Sequence, residues 1–204
     1  HITIDPTESL AAVGIVSSFL SMLIWVLGQS RSAISAIISK NLGANKLEQV
    51  KTLPAQAIAI IVLLSIIICC LTIPFSEAIF KFYNASGPLL NYSVDYFNIR
   101  IIGLPFTLYT FAVFGVFRGL QNTYHPMLIA ILGALVNIFL DLVLVYGITN
   151  LIAPMNLKGA ALASVLSQMV MAIMTTILIL KNSSIPLKIS TPINKALPKF
   201  LAMI

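Results

Sequence analysis

Five long apolar runs dominate this chain and limit what it can fold into. Each run has the length of about 20 residues that an α-helix needs to cross a hydrocarbon core about 30 Å thick. Because lipid offers the backbone no hydrogen-bond partners, a spanning segment must satisfy its peptide groups internally, as a helix does. The pattern therefore predicts an all-α membrane protein, a polytopic helical bundle with five complete spans.

The polar segments between the runs give the limits of the spans. We place the spans at residues 10–38, 54–80, 97–117, 126–146 and 159–180, and a further apolar stretch begins at residue 200. Residues 181–199 carry four Lys and three Pro, a composition that resists helix formation and favours a linker. We therefore expect a membrane bundle over residues 1–180, followed by a cytoplasmic linker and the start of the next helix over residues 181–204.

Charge is scarce and unevenly placed. Only 9% of residues are charged, 59% are hydrophobic, and the net charge is +6. The basic residues lie in short loops without aromatic interleaving, which argues against nucleic acid as a partner. Eight of them fall on one predicted side and two on the other: Lys40, Lys46, Lys51, Arg118, Lys181, Lys188, Lys195 and Lys199 against Lys81 and Lys158. By the positive-inside rule the N-terminus is outside and the C-terminus cytoplasmic.

Asp141 is a carboxylate deep inside the fourth span, where a charge costs about 2.5 to 3.5 kcal/mol on insertion scales. Asn137 and Gly133 precede it by four and eight residues, so the three share one helix face. The small glycine permits a close neighbour, and the amide offers a polar partner. Asp141 is thus a candidate to exchange a proton or to hold a small cation. The alternative is a structural role, as polar glue between helices.

The fifth span carries two polar or small faces. Gly159, Ala163 and Ser167 recur at four-residue spacing, which is typical of close helix packing. On the adjoining face Ser164 and Gln168 have the same spacing, so a hydroxyl and an amide can face the polar stripe of the fourth span. These residues extend a possible hydrophilic pocket.

Other polar residues in the spans have simpler interpretations. Arg31 is expected to reach the cytoplasmic interface, where its long side chain can snorkel into water. Tyr96 and Arg100 lie at the outer end of the third span, so both are read as interfacial anchors, with pocket lining as the alternative. Pro105, which follows Gly103, should kink that helix.

Nothing in the sequence points to an enzyme. The two histidines have no Cys, His or carboxylate at ligand spacing, and the P-loop, nucleophile-elbow and zinc motifs do not occur. The adjacent Cys69 and Cys70 are expected to be two buried thiols, since a vicinal disulfide would be strained. We predict no catalytic residues, no metal centre and no cofactor apart from a coupling ion.

Several sequence blocks resemble one family when they are taken together and in order. They are residues 10–14 (LAAVG), 41–44 (NLGA), 103–105 (GLP), 118–123 (RGLQNT), 137–141 (NIFLD) and 159–164 (GAALAS). This ordered set resembles the N-terminal lobe of multidrug and toxic compound extrusion (MATE) transporters, most closely the DinF-like branch. By that resemblance the five spans are the helices numbered two to six in the family.

The resemblance implies a function and a site. It implies antiport of amphipathic, often cationic, organic compounds against H⁺ or Na⁺, with Asp141, Asn137, Ser164 and Tyr96 at the cation site and Na⁺ possible at Asp141 and Asn137. It also implies as partners the lipid bilayer, small-molecule substrates, and a first helix and a C-terminal lobe that lie outside this chain. The expected location is the bacterial inner membrane. Asn122 departs from the Asp that is usual in its loop.

Two other functions are consistent with the sequence. One is a lipid-linked oligosaccharide flippase of the same superfamily, which we expect to line its cavity with more cationic residues. The other is a non-transporting scaffold subunit, in which Asp141 pairs with a partner helix. The first is recognised by a lipid-extraction assay and the second by the absence of solute flux at any gradient.

Overall fold

The computed structural model describes residues 6–148 and 152–181, and this part of the chain is almost entirely helical. Five helical stretches are long and apolar enough to span a membrane, as predicted. The predicted linker lies outside the described residues, apart from Lys181. The helices run in the order α1 (Pro6–Gly28), α2 (Ser30–Gly43), α3 (Leu47–Thr72), α4 (Ser76–Phe82), α5 (Gly87–Arg100), α6 (Leu104–Gly119), α7 (Tyr124–Tyr146) and α8 (Asn156–Lys181).

The second span ends earlier than its hydropathy suggested. We expected it to run from residue 54 to residue 80, but α3 begins at Leu47 and stops at Thr72. Pro74 explains the stop, because proline lacks an N–H and its ring clashes with the preceding helical turn. After this turn the chain resumes as the short helix α4, whose first five residues, up to Phe80, we had counted as part of the span.

The third span begins ten residues earlier than predicted and is broken in its middle. It extends from Gly87 to Gly119, with a 3₁₀ turn at Ile101–Gly103 between α5 and α6. The break confirms the kink expected next to Pro105. The proline occupies the first turn of α6, where its missing N–H costs nothing. We call Ile101–Gly103 the third-span break.

The fourth and fifth spans form a tight hairpin. The backbones of Ile148 and Ile152 exchange two hydrogen bonds of 2.9 and 3.0 Å across the connection. Gly147 before them has a φ of +75°, and a Cβ there would lie 2.5 Å from the Ile152 oxygen, so the turn requires glycine. Below it, a Cβ on Gly159 would lie 2.5 Å from the Leu144 oxygen. The close packing predicted for the small residues of α8 is therefore confirmed at this position.

Two glycines that sequence reasoning missed bring α6 against α2. Cβ atoms on Gly115 and Gly119 would lie 2.5 Å from the Arg31 oxygen and 2.7 Å from the Ile38 Cβ. The two are four residues apart, so they form one bare strip on α6. Ser39 Oγ donates a hydrogen bond of 3.2 Å to the Gly119 carbonyl across this interface. The strip fixes the first span against the third.

A cluster of aromatic rings joins α1, α4 and α5 at the opposite end of the bundle. Phe97 lies with its ring centre 5.7 Å from that of Phe19 and 5.3 Å from that of Phe80, both edge to face. Phe80 and Phe97 are fully buried. Because α4 contributes Phe80, the short helix after Pro74 closes the core at that end instead of continuing the second span.

We expect Gly119→Ala to destabilise the protein by about 1–3 kcal/mol, since the added methyl group overpacks the contact with α2. Gly14→Ala is the matched control, because a Cβ at Gly14 meets nothing within 4 Å in the described chain. Thermal unfolding of the purified protein in detergent measures both. Equal unfolding midpoints for the two variants would contradict the packing role of Gly119.

Candidate functional site

A polar cavity of about 380 Å³ lies between α6, α7 and α8. It exists because α7 packs closely on α8 but only lightly on α6. Its walls combine a few polar groups with small and aromatic side chains: Arg100, Thr107, Thr110, Phe111, Phe114, Ala130, Gly133, Ala134, Asn137, Ser164, Ser167, Gln168 and Met171. Most of the polar residues expected from the fourth and fifth spans therefore meet at one place.

The polar face of α7 borders this cavity. Gly133 and Asn137 line it, and Asp141 follows one turn later on the same face. The Nδ2 of Asn137 and the Oδ1 of Asp141 are both buried, and neither has a hydrogen-bond partner in the described part of the chain. A buried polar atom without a partner costs about 1–3 kcal/mol. The fourth span thus presents two polar groups that still need a ligand, a water or another helix.

The polar face of α8 completes the cavity as predicted for Ser164 and Gln168. With its amide turned so that the nitrogen faces the third-span break, Gln168 donates to the Gly103 carbonyl at 3.2 Å. In that orientation its oxygen lies 3.2 Å from the Thr107 hydroxyl and 3.2 Å from a terminal nitrogen of Arg100. Gly103 is needed here, because a Cβ at this position would overlap the Gln168 side chain. Gln168 therefore ties α8 to the third-span break.

Arg100 lies in the cavity wall, not at the membrane interface where we expected it. It is the last residue of the 14-residue helix α5, about 20 Å from Gly87 at 1.5 Å per residue. The predicted span started at residue 97, and this early boundary made Arg100 look interfacial. It shares the cavity wall with Asn137, which lies one turn before Asp141, but Arg100 and Asp141 do not form an ion pair within 4 Å.

Tyr96 is placed differently from the other three predicted site residues. It is buried in the hydrophobic core, one turn before Arg100, and it is not among the residues that line the cavity. Its neighbour Asp95 forms a surface ion pair with Lys158 at 3.0 Å, which links α5 to the start of α8. The structure thus brings Asn137 and Ser164 together in the cavity and places Asp141 at its edge. Tyr96 lies in the hydrophobic core, outside the cavity lining.

Arg31 lies over an aromatic ring between the first and third spans. Its Cζ is 5.1 Å from the centre of the Phe111 ring, a cation–π geometry. Arg31, Trp25, Gln29 and Phe111 border a second cavity of about 240 Å³. Snorkelling to water, which we expected for Arg31, therefore does not account for the position of its guanidinium over Phe111. Phe111 lines both cavities and lies between them.

The cysteines are both free thiols, as expected, but only Cys69 is buried, whereas Cys70 is exposed. Cys69 Sγ donates to the Ile101 carbonyl at 3.2 Å. It therefore meets a carbonyl of the third-span break, a role that its apolar surroundings in the sequence did not indicate.

Comparison with known proteins identifies the kind of molecule this cavity belongs to. The MatE family model matches residues 2–143. Multidrug export protein MepA of Staphylococcus aureus (strain NCTC 8325 / PS 47) is 23% identical over 93% of this chain and 42% of its own length. The probable multidrug resistance protein NorM of Thermotoga maritima is 26% identical over 89% of this chain and 39% of its own.

A solved structure shares the fold. A crystal structure of MATE in the bent conformation matches with a TM-score of 0.89 at 22% identity, over 98% of this chain and 44% of that one. The chain thus spans less than half the length of the relatives it matches. At this identity the likeness shows that the helical arrangement is the same.

We expect Gln168→Leu to destabilise the protein by about 1–3 kcal/mol, because it leaves the Gly103 carbonyl and the Arg100 guanidinium without the amide that contacts them. Gln29→Leu makes the same chemical change at an exposed amide whose bond to the Trp25 carbonyl is long, at 3.4 Å. Unfolding midpoints in detergent distinguish the two sites. A Gln168 variant as stable as the Gln29 variant would show that the contacts of Gln168 with Gly103 and Arg100 do not stabilise the fold.

Proposed function

Since the chain belongs to the MatE family, we propose that it is part of a transporter that exports amphipathic, often cationic, organic compounds in exchange for H⁺ or Na⁺. The observation that carries the proposal is Asp141, a carboxylate in the fourth span with a buried oxygen that has no partner among the described residues. It adjoins a cavity that also holds Asn137 and Ser164. Multidrug export by the named relatives supports the substrate class.

The proposed mechanism couples the two fluxes through one carboxylate. A proton or Na⁺ that binds Asp141 favours one packing of the helices, and substrate favours another, so the two ligands exchange across the membrane. Asn137 and Ser164 supply neutral oxygens near the carboxylate, the ligand type that Na⁺ requires. Tyr96 lies in the hydrophobic core and not in the cavity lining, so in this proposal it supports α5 and does not contact the ion directly.

The remaining assignments follow from the same proposal. The chain is an integral membrane protein, and we place it in the bacterial inner membrane with the end of α2 and the start of α7 on the cytoplasmic side. A first helix and a C-terminal lobe complete the transporter, since the chain spans less than half of its relatives. We propose neither a catalytic residue nor a cofactor besides the coupling ion. Membership of the DinF-like branch stays a prediction.

One observation favours a second candidate function. A lipid-linked oligosaccharide flippase was expected to line its cavity with more cationic residues, and Arg100 does line the cavity. A lipid-extraction assay separates the candidates, because a flippase moves a lipid-linked sugar between leaflets, whereas the efflux transporter moves soluble or amphipathic compounds out. We favour efflux because Asp141 balances Arg100 within the same site.

The efflux proposal is tested by Asp141→Asn in the transporter that contains this chain. We expect efflux of a cationic dye, driven by an imposed H⁺ or Na⁺ gradient in proteoliposomes, to fall to the level of liposomes without protein. The reason is that the amide cannot exchange a proton and binds Na⁺ more weakly than a carboxylate does. Dye fluorescence inside the liposomes measures the flux.

Asp95→Asn is the matched control, because it removes the same charge from a surface pair that stays exposed. It should leave efflux near the wild-type level. If Asp141→Asn exports as fast as wild type under both gradients, the coupling role is wrong. If the wild type itself moves no solute at any gradient and no lipid-linked sugar in the lipid-extraction assay, the efflux proposal is wrong and the scaffold alternative is supported.

A further inference from the structure

Arg100 is a charged residue within a membrane span, and only some of its hydrogen-bond donors have a partner in the described chain. A guanidinium has five N–H donors. In the described chain, Gln168 accepts from one terminal nitrogen at 3.2 Å, and the buried Nε has no partner. Since a charge inside a span is costly, a site that keeps Arg100 there is expected to give it a counter-charge.

Asp141 is the carboxylate that can provide this counter-charge. The other charged groups nearby are engaged elsewhere: Asp95 pairs with Lys158 at the surface, and Arg31 lies over Phe111 beside a different cavity. Arg100 lines the same cavity as Asn137, and Asp141 lies one turn beyond Asn137 on the same face of α7. Because both Asp141 Oδ1 and Arg100 Nε lack partners in the described residues, each side still has a free position to offer the other.

We propose that Arg100 is a resident counterion of Asp141, which competes with the coupling cation for the carboxylate. The proposal rests on the efflux function above and deepens it, since it names what occupies the ion site when the ion has left. A cation that binds Asp141 must overcome the repulsion of the guanidinium, so Arg100 weakens ion binding.

Competition between Arg100 and the cation for Asp141 explains how the site releases its ion. A carboxylate inside a membrane span binds a cation tightly, because the ion offsets the cost of desolvating the charge. The positive side chain of Arg100 takes the place of the departing cation, so the Asp141 carboxylate is not left as an unpaired charge. Release is needed for turnover, since an antiporter must empty its site on one side of the membrane in every cycle.

Gln168 supplies the second position that such a guanidinium needs. When a cation occupies Asp141, the terminal nitrogen of Arg100 keeps its bond to the Gln168 oxygen. That amide is itself held by the Gly103 carbonyl at the third-span break. In the proposal, the guanidinium turns between the Gln168 amide on α8 and the Asp141 carboxylate at the cavity edge on α7.

The experiment titrates the coupling cation against efflux rate for Arg100→Gln in the complete transporter. In proteoliposomes we vary Na⁺ at fixed pH and then pH without Na⁺, and we record the half-saturating concentration of the ion that drives efflux. We expect this concentration to fall about tenfold or more, since one unit charge several ångströms away has at least that effect at an effective dielectric of about 20. Maximal efflux should also drop, because the ion now leaves slowly.

Three variants separate the charge from the structure. Arg100→Met also removes the charge and should shift the half-saturating concentration in the same direction, whereas Arg100→Lys keeps the charge and should stay within about threefold of wild type. Arg31→Gln removes a guanidinium that faces the other cavity and should leave the value unchanged.

The possible outcomes are distinct. The proposal is wrong if both charge-removing variants titrate like Arg31→Gln, if they need more ion than wild type, or if only the half-saturating concentration of substrate moves, which would make Arg100 a holder of anionic substrate. It is also wrong if Arg100→Lys shifts as far as Arg100→Gln, since the effect would then follow shape and not charge. Failure of the efflux function itself appears separately, as ion-driven export that survives Asp141→Asn.

Discussion

A helix that breaks inside a lipid bilayer must find protein partners for the backbone groups it frees, because the hydrocarbon supplies none. The third-span break at Ile101–Gly103 meets this requirement with side chains from three other helices. Cys69 of α3 donates to the Ile101 carbonyl at 3.2 Å, and Thr107 of α6 and Gln168 of α8 contact the Gly103 carbonyl, each at 3.2 Å. The break thus holds α3, α6 and α8 together, and it gathers polar atoms at one depth of the bundle.

The same break explains why charges can persist in the cavity. Arg100 is the residue just before it, so the end of α5 points a guanidinium at the gathered polar atoms instead of at lipid. Asp141 approaches from α7 at the cavity edge. Each charge alone would be expensive in this setting, but the two together carry no net charge, and the Gln168 amide shares the solvation of Arg100. The third-span break and the proposed ion site are therefore parts of one structural unit.

The sequence revealed the half of the site that depends on helical periodicity. Gly133, Asn137 and Asp141 share a face because they are four residues apart, and so do Ser164 and Gln168, hence pattern alone found them. Arg100 was misplaced for a different reason. Hydropathy set the start of the span at residue 97, whereas the less apolar turns from Gly87 onward are helical as well. This shift moved Arg100 from an interface to mid-span. Gly115 and Gly119, which contact α2, do have the four-residue spacing, but we did not recognise it as a packing signal, and the sequence does not show which helix they meet.

Helix packing is tight at some interfaces of the bundle and loose at others. α2 and α6 are locked by the bare strip at Gly115 and Gly119, and α7 and α8 are locked where Gly159 meets the Leu144 carbonyl. Between α6 and α7 contacts are few, so α7 joins the rest of the lobe mainly through α8. The cavity lies in that loosely packed seam, with Arg100 on one side and Asp141 on the other. In the proposed mechanism, attraction between Arg100 and Asp141 draws the two sides of the seam together, and a cation that neutralises the carboxylate removes this attraction where helix contacts are fewest.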